Sequence, residues 1–137
     1  MAPLLLDTCA LIWITSGAPL SDAANRALSA AASQGHGIAI SPISAWEIGM
    51  LMSRGRLLLT KSPRAWMATA LDQPNTVLAQ LPPEVMIESS FLPGDPPADP
   101  ADRIIIATAR EFGMRIVTRD RAMLAYARAG HAEAIAC

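Results

Sequence analysis

The chain has 137 residues, 52% of them hydrophobic and 17% charged, with a formal net charge of -1 at pH 7. That length favours one folded unit, read here as a single domain over 1–137, large enough to bury a core without staples. The near-zero charge excludes a protein that coats nucleic acid through a globally basic surface, while leaving room for local cationic patches around an acidic centre. The longest apolar stretches are interrupted by Asp7, Ser41 or Arg103, well short of the roughly 20 residues that span a bilayer. The start of the chain lacks a basic segment, and Asp7 breaks its apolar run, so no secretory leader is read. Cys9 and Cys137 show no metal or redox spacing, and a cytoplasmic chain with free thiols is expected. The basic side is almost all arginine, Lys61 being the one lysine. Arginine suits bidentate phosphate contact, although genomic base composition would produce the same bias. The high apolar content suggests surface hidden against a partner as well as in the core.

Strands and helices alternate along the chain, which predicts an α/β domain with a central, mostly parallel β-sheet flanked by helices. Residues 3–6 form a short apolar strand that ends at Asp7. Ser21 and Asp22 cap a helix running to about residue 34, with Gly35 and Gly37 stopping it. Residues 38–40 make a second strand. Ser44 and Glu47, three apart, fit a capping box that would open a helix ending near Arg54, with Glu47 in its first turn. Residues 57–59 read as a short apolar extension. Ser62-Pro63 opens another helix, residues 76–81 read as a strand, and Pro82-Pro83-Glu84 begins a helix to about Ser89. The Pro-rich segment 91–100 is the clearest loop and leads directly to Asp102. Residues 101–112 are assigned to a helix ended by Gly113: Ile104-Ile105-Ile106 favours a strand, but length and the glycine outweigh it. A strand at 115–118, a helix at 121–128 stopped by Gly130, and a last strand at 134–137 complete the chain.

Four acids fall at predicted strand-to-helix junctions: Asp7, Glu47, Asp102 and Asp120. In open α/β sheets ligands bind at the carboxyl ends of strands, so one sheet edge could gather all four. Each has a plainer explanation alone. Asp102 suits a helix start, Glu47 could complete the box with Ser44, and Asp120 could cap the following helix. Asp7 is hardest to explain away, because a carboxylate between Leu4-Leu5-Leu6 and the apolar run beyond it needs a partner. Clustered carboxylates repel and raise one another's pKa. An all-oxygen set suits a hard cation, Mg2+ or Mn2+, and such a centre suits displacement at phosphorus. His36 and His131 are isolated and read as surface residues, not ligands. Trp13, Trp46 and Trp66 are assigned to the core.

The chain resembles the PIN-domain ribonucleases, in particular the VapC toxins of bacterial toxin–antitoxin pairs. The matching stretches are Leu4 to Trp13, Ser41 to Ile48, Asp99 to Ala109 and Val117 to Asp120. They occur in the family's order and span nearly the whole chain. The resemblance implies that Asp7, Glu47, Asp102 and Asp120 are the catalytic, metal-holding acids. It further implies a PIN-like fold, Mg2+-dependent hydrolysis of RNA phosphodiesters, a VapB-like antitoxin that covers the active site, and a homodimer. Asp99 adds a fifth acid that could assist the metal or order its loop. Thr8 and Thr118 could orient carboxylates or serve turns and caps. Arg54, Arg56, Arg103 and Arg119 are candidates for phosphate contact, or else solvated charges.

Three other readings are open. A haloacid-dehalogenase-like phosphatase would use Asp7 as nucleophile, but Cys9 stands where its second acid belongs. A receiver domain lacks its acidic pair near the N-terminus and leaves Glu47 unexplained. A PIN-like module that binds RNA or protein without catalysis has no need of all four acids.

Overall fold

A strand of three consecutive leucines is stable only where both of its faces are buried, as in the middle of a parallel sheet. Leu4, Leu5 and Leu6 form such a strand, β1 (Leu4–Leu6), with all three side chains buried. The structure, a computed structural model, describes residues 2–137, so Met1 at the start of the N-terminal run lies outside it. After β1 come α1 (Thr8–Thr15), α2 (Asp22–Ser33), β2 (Ile38–Ile40), α3 (Pro42–Ser53), α4 (Pro63–Leu71) and β3 (Thr76–Leu78). Then follow α5 (Pro83–Glu88), α6 (Pro100–Phe112), β4 (Arg115–Thr118), α7 (Arg121–Arg128) and β5 (Glu133–Ala136).

The five strands form one sheet in the order β3-β2-β1-β4-β5, with every neighbouring pair parallel. The α/β expectation holds, and the sheet is wholly parallel. Alternation along the strands divides the core into two layers. Leu4, Leu6, Ile40 and Val117 pack on one face with Ala10 and Leu11 of α1, Ala24, Ala27 and Ala31 of α2, and Trp66 and Ala70 of α4. Leu5, Ala39 and Ile116 pack on the other with Ile105, Ile106 and Ala109 of α6 and Met123 and Tyr126 of α7. Small alanines on α2 let that helix lie close to the sheet, and Gly37, just before β2, leaves room for Val77 of β3. A Cβ there would stand 2.9 Å from a Val77 methyl.

The chain order fixes where a ligand can bind. From β1 it runs outward through β2 to β3, then returns to place β4 on the other side of β1. The direction of winding therefore reverses between β1 and β4, and the carboxyl ends of those two strands diverge around a crevice. Asp7 immediately follows β1, and Asp120 lies two residues beyond β4.

Several local features differ from the sequence reading. Residues 8–15 form a helix that the sequence left unassigned. The third helix starts two residues before Ser44: Ser41 is its N-cap, accepting from the Ile43 N–H at 3.1 Å, and Pro42 is its first residue. Ser44 and Glu47 therefore make no capping box, and Glu47 lies in the second turn. Residues 57–59 have no regular structure. Trp66 is in the core, but Trp46 is 56% exposed, against the core assignment.

Candidate active site

Asp7, Glu47, Asp102 and Asp120 line one pocket of about 200 Å3. A larger hollow of about 390 Å3 lies beside α4, but no acid lines it. The shared chemistry of the smaller pocket, not its size, marks it as the candidate site.

Asp7 is 5% exposed and is held through both carboxylate oxygens. As N-cap of α1 it accepts from the Ala10 N–H at 2.7 Å through Oδ1. Its Oδ2 accepts from the Thr118 hydroxyl at 2.5 Å. Burial raises its pKa; the two hydrogen bonds oppose that shift and the charge of Asp120 adds to it. Thr118, fully buried at the end of β4, also accepts from the Asp120 N–H at 2.9 Å. One hydroxyl thus ties the β1 acid to the backbone of the β4 acid across the crevice. Asp120 itself caps α7 through the Met123 N–H at 2.9 Å. The capping role and the place at the pocket coexist.

Glu47 reaches the pocket from α3. Its Oε1 accepts from the Thr8 hydroxyl at 2.5 Å. Thr8 has only one proton and gives it to Glu47, so the Ser44 hydroxyl, 2.9 Å away, donates to Thr8. The chain Ser44 to Thr8 to Glu47 is buried at its first two members. It fixes a side chain that would otherwise be free to rotate. Burial raises the Glu47 pKa, the Thr8 bond opposes that, and Asp99 and Asp7 push it further up.

Asp102 stands in the first turn of α6, whose N-cap is Asp99. Asp99 accepts from the Asp102 N–H at 3.0 Å, which accounts for the fifth acid as a cap. Its charge still reaches the pocket. The Asp102 carboxyl is pushed up to about 7, first by burial, then by Asp99, Asp120, Glu47 and Asp7 in turn. Cys9, which also lines the pocket, is pushed up to about 11 by burial and then by Asp7, Glu47, Asp102 and Asp120. The thiol is therefore protonated at neutral pH and is not a nucleophile.

Carboxylates that raise one another in a half-buried pocket call for a cation, and oxygen donors from four elements suit a hard divalent one. The residues present fit Mg2+ or Mn2+ in kind. As the side chains stand, no three His, Cys, Asp or Glu among the described residues close on a common point.

The loop that delivers Asp99 and Asp102 is pinned from three sides. Arg103 Nε donates to the Pro97 carbonyl at 2.6 Å. The Tyr126 hydroxyl donates to the Pro93 carbonyl at 2.5 Å. Gly94, at a φ of 71°, approaches His131 so closely that a Cβ would lie 2.4 Å from Nε2. Arg103 is thus a loop anchor. Arg54 and Arg56 are exposed and lie outside the pocket lining, whereas Arg119 is part of it. Sequence reasoning missed Ser44 as a support for Thr8, and it missed Trp13 as a pocket wall. The Ser41-Pro42 pair, a serine N-cap with proline at the first helical position, was the available signal for the true start of α3 and hence for the place of Ser44.

Comparisons with known proteins bear on the family and the fold. The PIN domain family model matches residues 4–129. Ribonuclease VapC22 of Mycobacterium tuberculosis (strain ATCC 25618 / H37Rv) is 35% identical over 122 residues, covering 88% of this chain and 89% of that protein. Among solved structures, VapBC2 from Rickettsia felis, bound to a DNA fragment from its promoter, aligns with a TM-score of 0.69. That alignment has 16% identity and covers 97% of each chain. FitAcB from Neisseria gonorrhoeae aligns with a TM-score of 0.57 at 17% identity, over 96% of each chain. Matched over residues 4–129 and 35% identical to a relative along most of its length, the chain belongs to the PIN-domain family.

Proposed function

We propose that the chain is a metal-dependent endoribonuclease that hydrolyses RNA phosphodiester bonds, with Asp7, Glu47, Asp102 and Asp120 as its catalytic and metal-holding acids. The observation that carries this is that four carboxylates, two capping α1 and α7 and two within α3 and α6, line one pocket at the topological switch point. The similarity to Ribonuclease VapC22 supports RNA as the substrate. Mg2+ or Mn2+ bound there would neutralise charge on the phosphodiester and acidify water. The chain's own part is to hold the acids ready. Thr118 and the Ala10 N–H fix both oxygens of Asp7, Thr8 fixes Glu47, and Asp102 is held near its titration point so that cation binding displaces a proton. A phosphatase using Asp7 as nucleophile would leave Glu47 and Asp120 without a task. A non-catalytic module would have no use for three acids at raised pKa.

The chain acts, on this reading, as one unit and as the toxin of a toxin–antitoxin pair in the cytoplasm. The VapBC2 and FitAcB neighbours support an antitoxin partner. The exposed apolar side chains Leu58, Ile87 and Phe91 support burial against a partner or a second copy in a homodimer. No helix among the described residues is long and apolar enough to cross a membrane. The test is to express the chain alone in a bacterial host and map RNA ends. Growth arrest with discrete cuts, both lost in Asp102→Asn, is expected. The same cuts with that variant would overturn the assignment.

A further inference from the structure

Arg119 is the one cation among the described residues that line the acidic pocket. The contacts that hold its guanidinium are to a backbone carbonyl and a ring face. Its guanidinium carbon lies 4.0 Å from the centroid of the Trp13 ring. One guanidinium nitrogen donates to the Pro19 carbonyl at 2.6 Å, and the Cys137 thiol is close by. Trp13 in turn packs on the core layer beneath it. Core, indole and guanidinium are therefore layered, with Arg119 exposed to solvent.

A cation attracted to a ring face is held in place without losing its charge. Arginine has five N–H donors in a flat fork, and the Pro19 carbonyl takes one of them. A pocket with four acids repels every phosphate of a polyanion. A fixed cation at its rim, with guanidinium donors left over, offers the nearest point where a phosphate can rest. Arg103 does not line the pocket and anchors the loop at Pro97 instead.

We infer that Arg119, positioned on Trp13, binds a backbone phosphate next to the scissile one and so sets how the RNA strand enters the pocket. The inference rests on the nuclease reading above. Trp13 is a positioning residue, acting through Arg119.

The test measures binding of a fluorescein-labelled single-stranded RNA decamer in EDTA across a salt series, together with steady-state cleavage in Mg2+. Arg119→Gln should weaken binding about ten-fold, as loss of one charge-assisted bond does. It should also make the log–log salt slope shallower by about 0.7, one phosphate contact on a single strand. Arg119→Lys keeps the charge but not the flat fork. It should retain the slope while binding a few-fold more weakly, and it keeps the test informative should the glutamine loosen the fold. Trp13→Phe should raise KM a few-fold at unchanged kcat. Wild-type affinity and slope in Arg119→Gln, a lost slope in Arg119→Lys, or a wild-type chain that binds no RNA would each overturn the inference. Metal-dependent cleavage that persists with unchanged RNA binding in Arg119→Gln would overturn this inference alone. Wild-type cleavage that is indifferent to EDTA would overturn the nuclease reading instead.

Discussion

Replacing Asp7 with asparagine should make the protein more stable while it stops cleaving RNA. The raised pKa of Asp7 is a net result: burial outweighs the bonds from Thr118 and Ala10. At neutral pH and above, the folded chain thus carries a charge that it holds less well than water does. Asparagine keeps the shape and caps a helix as well as aspartate, so the Ala10 N–H stays satisfied. It has a single acceptor oxygen, and its amide would have to donate to Thr118 where the carboxylate accepted. That change costs about 1 kcal/mol. Removing a buried charge that two hydrogen bonds only partly compensate returns more than that, about 2 kcal/mol. A net gain of about 1 kcal/mol at pH 8 in EDTA follows, which is a rise of about 3–5 °C in Tm for a chain of this size. The sign with pH is fixed by linkage. A carboxyl raised in the folded state contributes its stability below the unfolded pKa and loses it as pH rises through the folded value. The gap between variant and wild type should therefore be absent below the unfolded value of about 4 and widen as pH rises through the raised folded value. Urea unfolding with an unchanged m-value reads this out. A variant less stable than wild type by 1 kcal/mol or more, or a gap that ignores pH, would refute the reasoning.

Three further outcomes are expected. Because Asp102 titrates at about 7, Mn2+ affinity should rise as pH increases through 7 and level off above it, with a proton released on binding; calorimetry in buffers of different ionisation enthalpy measures both. Gly94→Ala should destabilise the fold by about 2 kcal/mol, from positive φ and from collision with His131. Combining it with His131→Ala should recover part of that loss in urea unfolding. Tyr126→Phe removes the bond to the Pro93 carbonyl and should cost about 1 kcal/mol, with faster hydrogen exchange in residues 93–100 while the core strands stay protected.

Much of this architecture is legible in the residues because each signal has a local cause. The β1, β2 and β4 strands are short apolar runs whose neighbours on both faces are helices, so they read as buried strands. Ser62-Pro63, Gly113 and Gly130 mark helix ends through the chemistry of caps and turns. The helix over 8–15 was not legible. Its residues Thr8, Ile12, Ile14 and Thr15 are β-branched and favour strands. Tertiary position decides it: Asp7 caps the helix, and Ala10 and Leu11 bury against the sheet. The same limit applies to Glu47. The Ser44 spacing imitates a capping box, whereas the hydroxyl that Ser44 serves, Thr8, is 36 residues away in sequence. Asp99 could not be divided between metal and cap until its bond to the Asp102 N–H was seen. Arg103 and Arg119 look alike in sequence, each beside an acid, and only the folded chain turns one to a loop carbonyl and the other onto an indole. Asp7 was the most legible acid, since its surroundings alone demanded a partner.

The central claim is that the four carboxylates act on RNA through a hard divalent cation. Its most direct test is cleavage of an end-labelled RNA pool by the purified chain with EDTA, then with Mg2+ or Mn2+ restored, alongside Asp102→Asn. The account predicts no cleavage in EDTA, recovery with either cation, and a fall of about 10²-fold or more in the variant, the scale on which pre-organised electrostatic groups contribute. Cleavage unaffected by chelation, or a variant as active as wild type, would contradict it.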